Sequence, residues 1–284
     1  LRDKKIAHYD KDEVNRIELT TKDDTIIIEK SGEEWSMTSP VLPVEVSRVN
    51  SYLNSLTNYS AKEFVAEEFD NPSQYGFDAP EAKLTLSLGE EKATKELVIG
   101  KAIEDGDDTN YFAYESGRAP VFTVRESNKN NVARDPFYFQ DKKLAQYNED
   151  ALSEIRISGA YQITLTPQDT LGWYVSGDTT IKLENSDMNR LFSAIGGVTA
   201  TELVSENSKD LSSYGLKEPF LEVVLTDTAG SSIGYSIGDS DEDNDRFAVS
   251  SSRPRIYKVS ITTVERIKDW IEEIRETDAT PSTE

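Results

Sequence analysis

The chain repeats itself once at the scale of a whole domain. Val14-Asn15-Arg16-Ile17-Glu18-Leu19 returns as Leu152-Ser153-Glu154-Ile155-Arg156-Ile157, and Trp35 returns as Trp173, both 138 positions later (14 to 152, 35 to 173). Ala61-Lys62-Glu63-Phe64-Val65 returns as Ala200-Thr201-Glu202-Leu203-Val204, and Tyr75-Gly76-Phe77-Asp78-Ala79-Pro80 as Tyr214-Gly215-Leu216-Lys217-Glu218-Pro219, now 139 positions later (61 to 200, 75 to 214). Val98-Ile99-Gly100, Tyr111-Phe112-Ala113 and Val121-Phe122-Thr123-Val124 answer Ser236-Ile237-Gly238, Arg246-Phe247-Ala248 and Ile256-Tyr257-Lys258-Val259. So many matches in one order imply duplication. Because the period far exceeds the roughly 20–50 residues of a solenoid, the copies are expected to be separate globular units. The length of 284 residues agrees, since single cores seldom exceed about 200 residues.

Within one copy, residues 14–19 and 25–30 alternate or run β-branched (Ile17, Leu19, Ile26, Ile28) around Lys22-Asp23-Asp24, the pattern of a hairpin, and a third short strand carries Trp35 and Met37. Pro40 and Pro43 end that strand. Val46, Val49, Leu53 and Leu56 then fall at helical spacing, predicting an amphipathic helix over 44–59, and Met188, Phe192 and Ile195 repeat the stripe with Ser186 as its expected N-cap. A strand at 61–65, a hairpin through Leu84, Leu86, Leu88, Leu97 and Ile99, and strands at 110–114 and 121–124 complete the copy. A last helix places Val264, Ile267, Ile271 and Ile274 on one face, with Thr262 and Glu265 as a candidate capping box; its first-copy counterpart is shorter, near 126–132. The expected fold is α+β: two tandem modules, each a mainly antiparallel sheet crossed by an amphipathic helix. The modules are placed at 1–133 and 149–277, with a packed connector over 134–148 and a disordered tail over 278–284.

Charge and composition narrow the function classes. With 31 basic against 53 acidic residues the formal charge is -22, which repels phosphate backbones, so nucleic acid is not an expected partner. The absence of cysteine removes disulfides, thiolate nucleophiles and sulfur-based zinc sites. No apolar run approaches the roughly 20 residues of a membrane span. The sequence opens at Leu1 and not at Met, which fits a signal or anchor lying upstream.

Candidate sites are few. Gly230-Ser231-Ser232-Ile233-Gly234 fits the G-x-S-x-G pattern of a serine nucleophile, but it falls between two expected strands and the one histidine, His8, lies near the chain start; a hairpin turn is the simpler reading. His8 itself reads as an exposed terminal side chain, one imidazole being a poor ligand set. Asp239, Asp241, Asp243 and Asp245 alternate in an acidic loop and form the candidate calcium site, although Asn244 and Ser250 stand where an EF-hand has Gly and Glu. The matching first-copy loop, Glu104-Asp105-Gly106-Asp107-Asp108, is acidic too, as a solvated hairpin tip is. No other cofactor is expected. Trp35 and Trp173 are a candidate ligand surface, against the commoner role of a recurring Trp as a core plug. Tyr75 and Tyr214, each followed by Gly and later by Pro, are expected to build a rigid turn.

The order of Trp35-to-Pro40 strand, helix, A-x-E-[FL]-V strand, twice-occurring Y-G-[FL]-x-x-P turn and I-G loop resembles the bacterial domain of unknown function 4340 family over nearly the whole chain. That resemblance implies an N-terminal membrane anchor, a domain outside the cytoplasm, and association with ABC-transporter components of the gliding-motility type; it carries no catalytic residues. Together these observations give the expectation of a non-enzymatic, extracytoplasmic protein-interaction module with membrane-protein or ABC-transporter partners. The alternative is an envelope glycan- or peptide-binding protein using aromatics in a cleft between the modules.

Overall fold

Successive strand side chains point to opposite faces, so Ile17 and Leu19 on one strand and Ile26 and Ile28, either side of Ile27, on the next turn one face of the first hairpin inward, and all four are fully buried in the computed structural model. Residues 3–6, 8–68, 71–89, 91, 93–105, 108–168, 172–176, 178–207 and 209–278 are described by it. The chain divides into two units, Leu1–Asp141 and Lys142–Glu284.

Unit 1 contains β1 (Val14–Thr21), β2 (Thr25–Ser31), β3 (Glu34–Ser39), β4 (Val41–Leu42), α1 (Val46–Leu56), β5 (Phe64–Ala66), α2 (Pro72–Tyr75), β6 (Ala82–Leu88), β7 (Ala93–Asp105), β8 (Asp108–Glu115), β9 (Val121–Arg125), α3 (Glu126–Val132) and α4 (Pro136–Phe139). Its strands form one sheet in the order β4-β3-β2-β1-β6-β7-β8-β9-β5. The order explains the crossing helix. β4 and β5 lie at opposite edges, so α1 must carry the chain across one face, and it buries Val49, Tyr52, Leu53 and Leu56 in doing so. Each such aliphatic side chain contributes about 1.5–3 kcal/mol of transfer free energy.

Unit 2 contains β10 (Leu152–Gly159), β11 (Ile163–Pro167), β12 (Trp173–Val175), β13 (Asp178–Leu183), α5 (Asn185–Gly196), β14 (Ala200–Ser205), β15 (Leu221–Asp227), β16 (Ser232–Ser240), β17 (Arg246–Ser250), β18 (Arg253–Val259) and α6 (Ile261–Asp278). Its sheet runs β13-β12-β11-β10-β15-β16-β17-β18-β14, the order of unit 1 strand for strand. The two-module α+β fold is therefore as the repeat predicts. In both units the paired strands are antiparallel, and β1–β6 and β10–β15 carry a register shift at equivalent places, Val14/Arg16 and Leu152/Glu154.

The expected connector, 134–148, is shared between the units. Phe139 is fully buried in the core of unit 1, whereas Leu144 is fully buried in unit 2. The second half of the connector is in fact the start of the second copy. Asp3-Lys4-Lys5-Ile6-Ala7-His8-Tyr9 returns as Asp141-Lys142-Lys143-Leu144-Ala145-Gln146-Tyr147. This N-terminal strap is held alike in both: Ile6 N–H donates to Tyr59 O at 2.8 Å and Leu144 N–H to Val198 O at 3.0 Å. The Tyr9 hydroxyl donates to Leu53 O at 2.9 Å and the Tyr147 hydroxyl to Phe192 O at 3.2 Å. Arg118 and Arg253 each donate a guanidinium N–H to the carbonyl of the matching strap lysine, Lys5 and Lys143.

Several local expectations shift. The first crossing helix is Val46–Leu56, shorter than 44–59, and the strand expected at 61–65 is Phe64–Ala66. α5 is capped by Glu184, not Ser186: the Asp187 carboxylate accepts from Glu184 N–H at 3.1 Å, a reach available only one turn from the helix start. α6 opens at Ile261, so Thr262 lies inside its first turn, and Val264, Ile267, Ile271 and Ile274 are buried together with Trp270. Of the expected tail, Asp278 ends α6 and 279–284 lie outside the described residues.

Candidate functional site

The two crossing helices differ most where they end. Opposite Leu53, Asn54, Thr57 and Asn58 of unit 1, unit 2 carries Phe192, Ser193, Gly196 and Gly197. Losing two side chains at 196–197 opens space between α5 and the strap, and a cavity of about 590 Å³ lies there, lined by Tyr147, Phe192, Ser193, Gly196 and Gly197 with Lys143 and Glu149 at its charged margin. A Cβ on Gly196 would stand 2.9 Å from the Tyr147 hydroxyl, so a side chain there would displace the tip of that tyrosine. Burial pushes the Tyr147 hydroxyl well above its ordinary value of 10.0, with Glu149 adding to it, so this group stays a neutral donor.

Two further concavities adjoin. One, of about 460 Å³, shares Ser193 and lies between α5 and α6, where Arg190, Asp269, Trp270 and Glu273 face one another. Arg190 bridges Glu273 at 2.7 Å and Asp187 at 3.2 Å, while the Trp270 indole donates to Asp187 O at 2.8 Å. The other, of about 320 Å³, shares Gln146 and Tyr147 and ends against Ser231 and Ser232 in the β15–β16 turn. Together they make a trough on unit 2. In unit 1, a cavity lined by Tyr9, Leu86 and Glu115 holds about 10 Å³, room for one water at most.

Trp173 is half-buried, and its ring meets Phe192 edge-on at 6.1 Å, one ring behind the trough. Trp35 is buried at 9% exposure and packs in the core of unit 1, so the candidate ligand surface does not extend to it. Ser232 opens β16 just past the hairpin turn, its hydroxyl 3.0 Å from that of Thr226, and a strand and not a helix follows, which is the hairpin geometry and not a nucleophile elbow. His8 is exposed in unit 1, 3.0 Å from the Asp3 carboxylate.

The four aspartates of the acidic loop have separate roles. Asp241 N–H donates to Asp245 O at 2.8 Å, Asn244 N–H to Asp241 O at 3.2 Å, and Asp243 N–H to the Asp241 carboxylate at 2.9 Å. Asn244 takes φ 66° to close this turn. The Asp241 carboxylate also pairs with Lys258 at 2.9 Å, and Lys258 reaches Glu202 at 3.1 Å. The hydrogen bond from Lys258, first, and those from the backbone hold Asp241 below its ordinary 3.8. The Asp239 carboxyl packs over Gly215. Among the described residues, no three His, Asp or Glu side chains converge as a metal-binding group. In the first-copy loop, Gly106 and Asp107 lie outside the described residues.

The Tyr-Gly turns interlock with the Ile-Gly loops. Gly76 and Gly215 take φ of 76° and 65°, and a Cβ on Gly100 or Gly238 would collide with the carbonyl oxygen of Tyr75 or Tyr214 respectively. Each turn is thus seated directly on backbone, where only glycine fits.

Fold and site together define a tandem α+β protein whose duplicated sheets are alike and whose second unit carries a concave face. The chain belongs to the family described as Domain of unknown function (DUF4340), whose model matches residues 35–180 and again 173–281. Both matches open on the recurring tryptophan, so the matched segment starts in the third strand of each folded unit, after the strap and two strands. No curated protein and no solved structure matches the chain.

Proposed function

We propose that this chain is a non-enzymatic, extracytoplasmic protein-interaction module, an accessory of an ABC-transporter or other cell-envelope assembly, tethered through a membrane anchor upstream of Leu1. The observation that carries this reading is the contrast between the layers. The two sheets keep one strand order, while the helices over them diverge: α6 has 18 residues where α3 has 7. A scaffold retained under a changed surface is what a duplicated binding protein needs to acquire a new partner. The exposed side of α6 sets Glu265, Asp269, Glu272, Glu273 and Glu276 against Arg266, Lys268 and Arg275, an acidic excess that favours a basic partner surface. The test is affinity capture from bacterial membranes with the anchored protein. Transporter subunits should be recovered, and the double reversal Glu272→Lys/Glu276→Lys should reduce recovery several-fold; capture without any transporter subunit contradicts the reading.

The trough favours a second reading, binding of an envelope glycan or peptide by unit 2. Cavities of several hundred Å³ with aromatic walls and a few convergent polar groups are the usual form of a ligand site. Thermal-shift screening checks it, since a ligand at about one hundred times its dissociation constant adds about 2.7 kcal/mol.

A further inference from the structure

The trough has a shape and a charge balance that select among ligands. Its three concavities share wall residues in series, Ser193 and then Gln146 and Tyr147, along the helical side and strap of unit 2. A compact metabolite fills one such compartment; a linear oligomer fills all three. The walls are near neutral although the chain carries a formal charge of -22. Three basic residues, Lys143, Arg190 and Arg266, stand against four acidic ones, Glu149, Asp227, Asp269 and Glu273. The Arg190–Glu273 pair at 2.7 Å directs those two charges at each other, away from a ligand's charge.

What remains along the trough is a row of neutral hydrogen-bonding side chains, Asn189, Ser193, Gln146, Asn148, Ser231 and Ser232, beside the rings of Phe192 and Tyr147. Amides and hydroxyls match a ligand that offers hydroxyls on every residue. Flat aromatic faces match the C–H faces of a sugar ring, because an amphipathic aromatic wall buries apolar area while its polar tip stays bonded. A peptide added as a strand needs a free strand edge, and one bound as a polyproline helix needs an aromatic-lined groove. The trough is walled by helix, strap and turn side chains and, at one end, by Leu152, Leu225, Asp227, Ser232 and Ile233 of β10, β15 and β16, none of which is an edge strand, so strand addition is closed to a peptide there.

We infer that the trough on unit 2 binds a linear, uncharged oligosaccharide of several residues. This rests on the second reading above and is independent of the transporter reading. The test is isothermal titration of the full chain with chitohexaose and maltohexaose as neutral oligosaccharides, a hexagalacturonate as the anionic counterpart, and an uncharged hexapeptide. At least one neutral hexasaccharide should bind, with affinity reduced at least tenfold by Ser193→Trp, which fills the shared wall at an exposed position, and by Phe192→Ala. Both variants should keep the thermal transition of unit 2 within a few degrees; if Phe192→Ala unfolds it, Ser193→Trp decides alone. Binding unchanged in Ser193→Trp overturns the location. Binding of the peptide alone, or of the anionic sugar alone, overturns the ligand class while leaving a binding function in place, and binding of none of the four overturns both.

Discussion

Unit 1 and unit 2 share their strand order, their strap and their Tyr-Gly turn and differ in what they show to solvent. Both are opened by a strap whose tyrosine donates to a carbonyl of the crossing helix, and both clamp that strap with an arginine. Both seat a Tyr-Gly turn on a glycine that no side chain can replace. In unit 1 the crossing helix is covered by aromatics, with Tyr52 packed on Phe139 at 5.0 Å and its hydroxyl donating to Val132 O at 2.9 Å. In unit 2, Leu191 stands at the matching position, and α6 covers the helix through Trp270. The difference teaches that duplication preserved the parts held by main-chain geometry and released the side-chain layer, where binding surfaces arise.

The largest expected effects test whether each unit has its own core. Ile17→Ala and Ile155→Ala each remove a fully buried side chain at twin positions and should cost about 2–5 kcal/mol. Scanning calorimetry should show each variant lowering the transition of its own unit; one variant moving all transitions equally breaks the comparison. Next come Gly100→Ala and Gly238→Ala, each forced against a carbonyl oxygen. About 1–3 kcal/mol is expected from both, by chemical denaturation. Similar values confirm a shared lock, and a cost at one site alone shows that the second turn has drifted.

Smaller still, Tyr9→Phe and Tyr147→Phe each delete one hydroxyl bond to a helix carbonyl and should cost about 0.5–1.5 kcal/mol apiece. The smallest effect concerns acid. Asp241 titrates below its unfolded value because Lys258 holds it charged, so its stabilising contribution is full above about pH 4 and fades as pH falls through the depressed folded value. Asp241→Asn should therefore flatten the acid limb of unit 2's stability curve and leave unit 1 untouched. A change confined to neutral pH contradicts that assignment.

The sheets were legible in sequence because alternation at Ile17, Leu19, Leu84, Leu86 and their second-copy partners reports one buried face directly. The Y-G and I-G motifs announced a turn, but not that they touch, since that contact is long-range. The strap was hidden by the connector expectation, although its signal, D-K-K-[IL]-A-x-Y at Asp3 and Asp141, is plain when the register is extended upstream. Trp173 pointed to within one ring of the trough. The trough itself could not be seen in sequence: it depends on Gly196-Gly197 replacing Thr57-Asn58, and a missing side chain leaves no pattern until neighbours are placed around it.

On the proposed glycan reading unit 2 alone receives the ligand, and the three indoles report it. In a nitrogen–proton correlation spectrum of the full chain, saturation with the neutral hexasaccharide of highest affinity should shift the Trp270 and Trp173 signals and leave Trp35 in place. Movement of Trp35 as large as that of Trp270, or three stationary signals at saturation, contradicts the account.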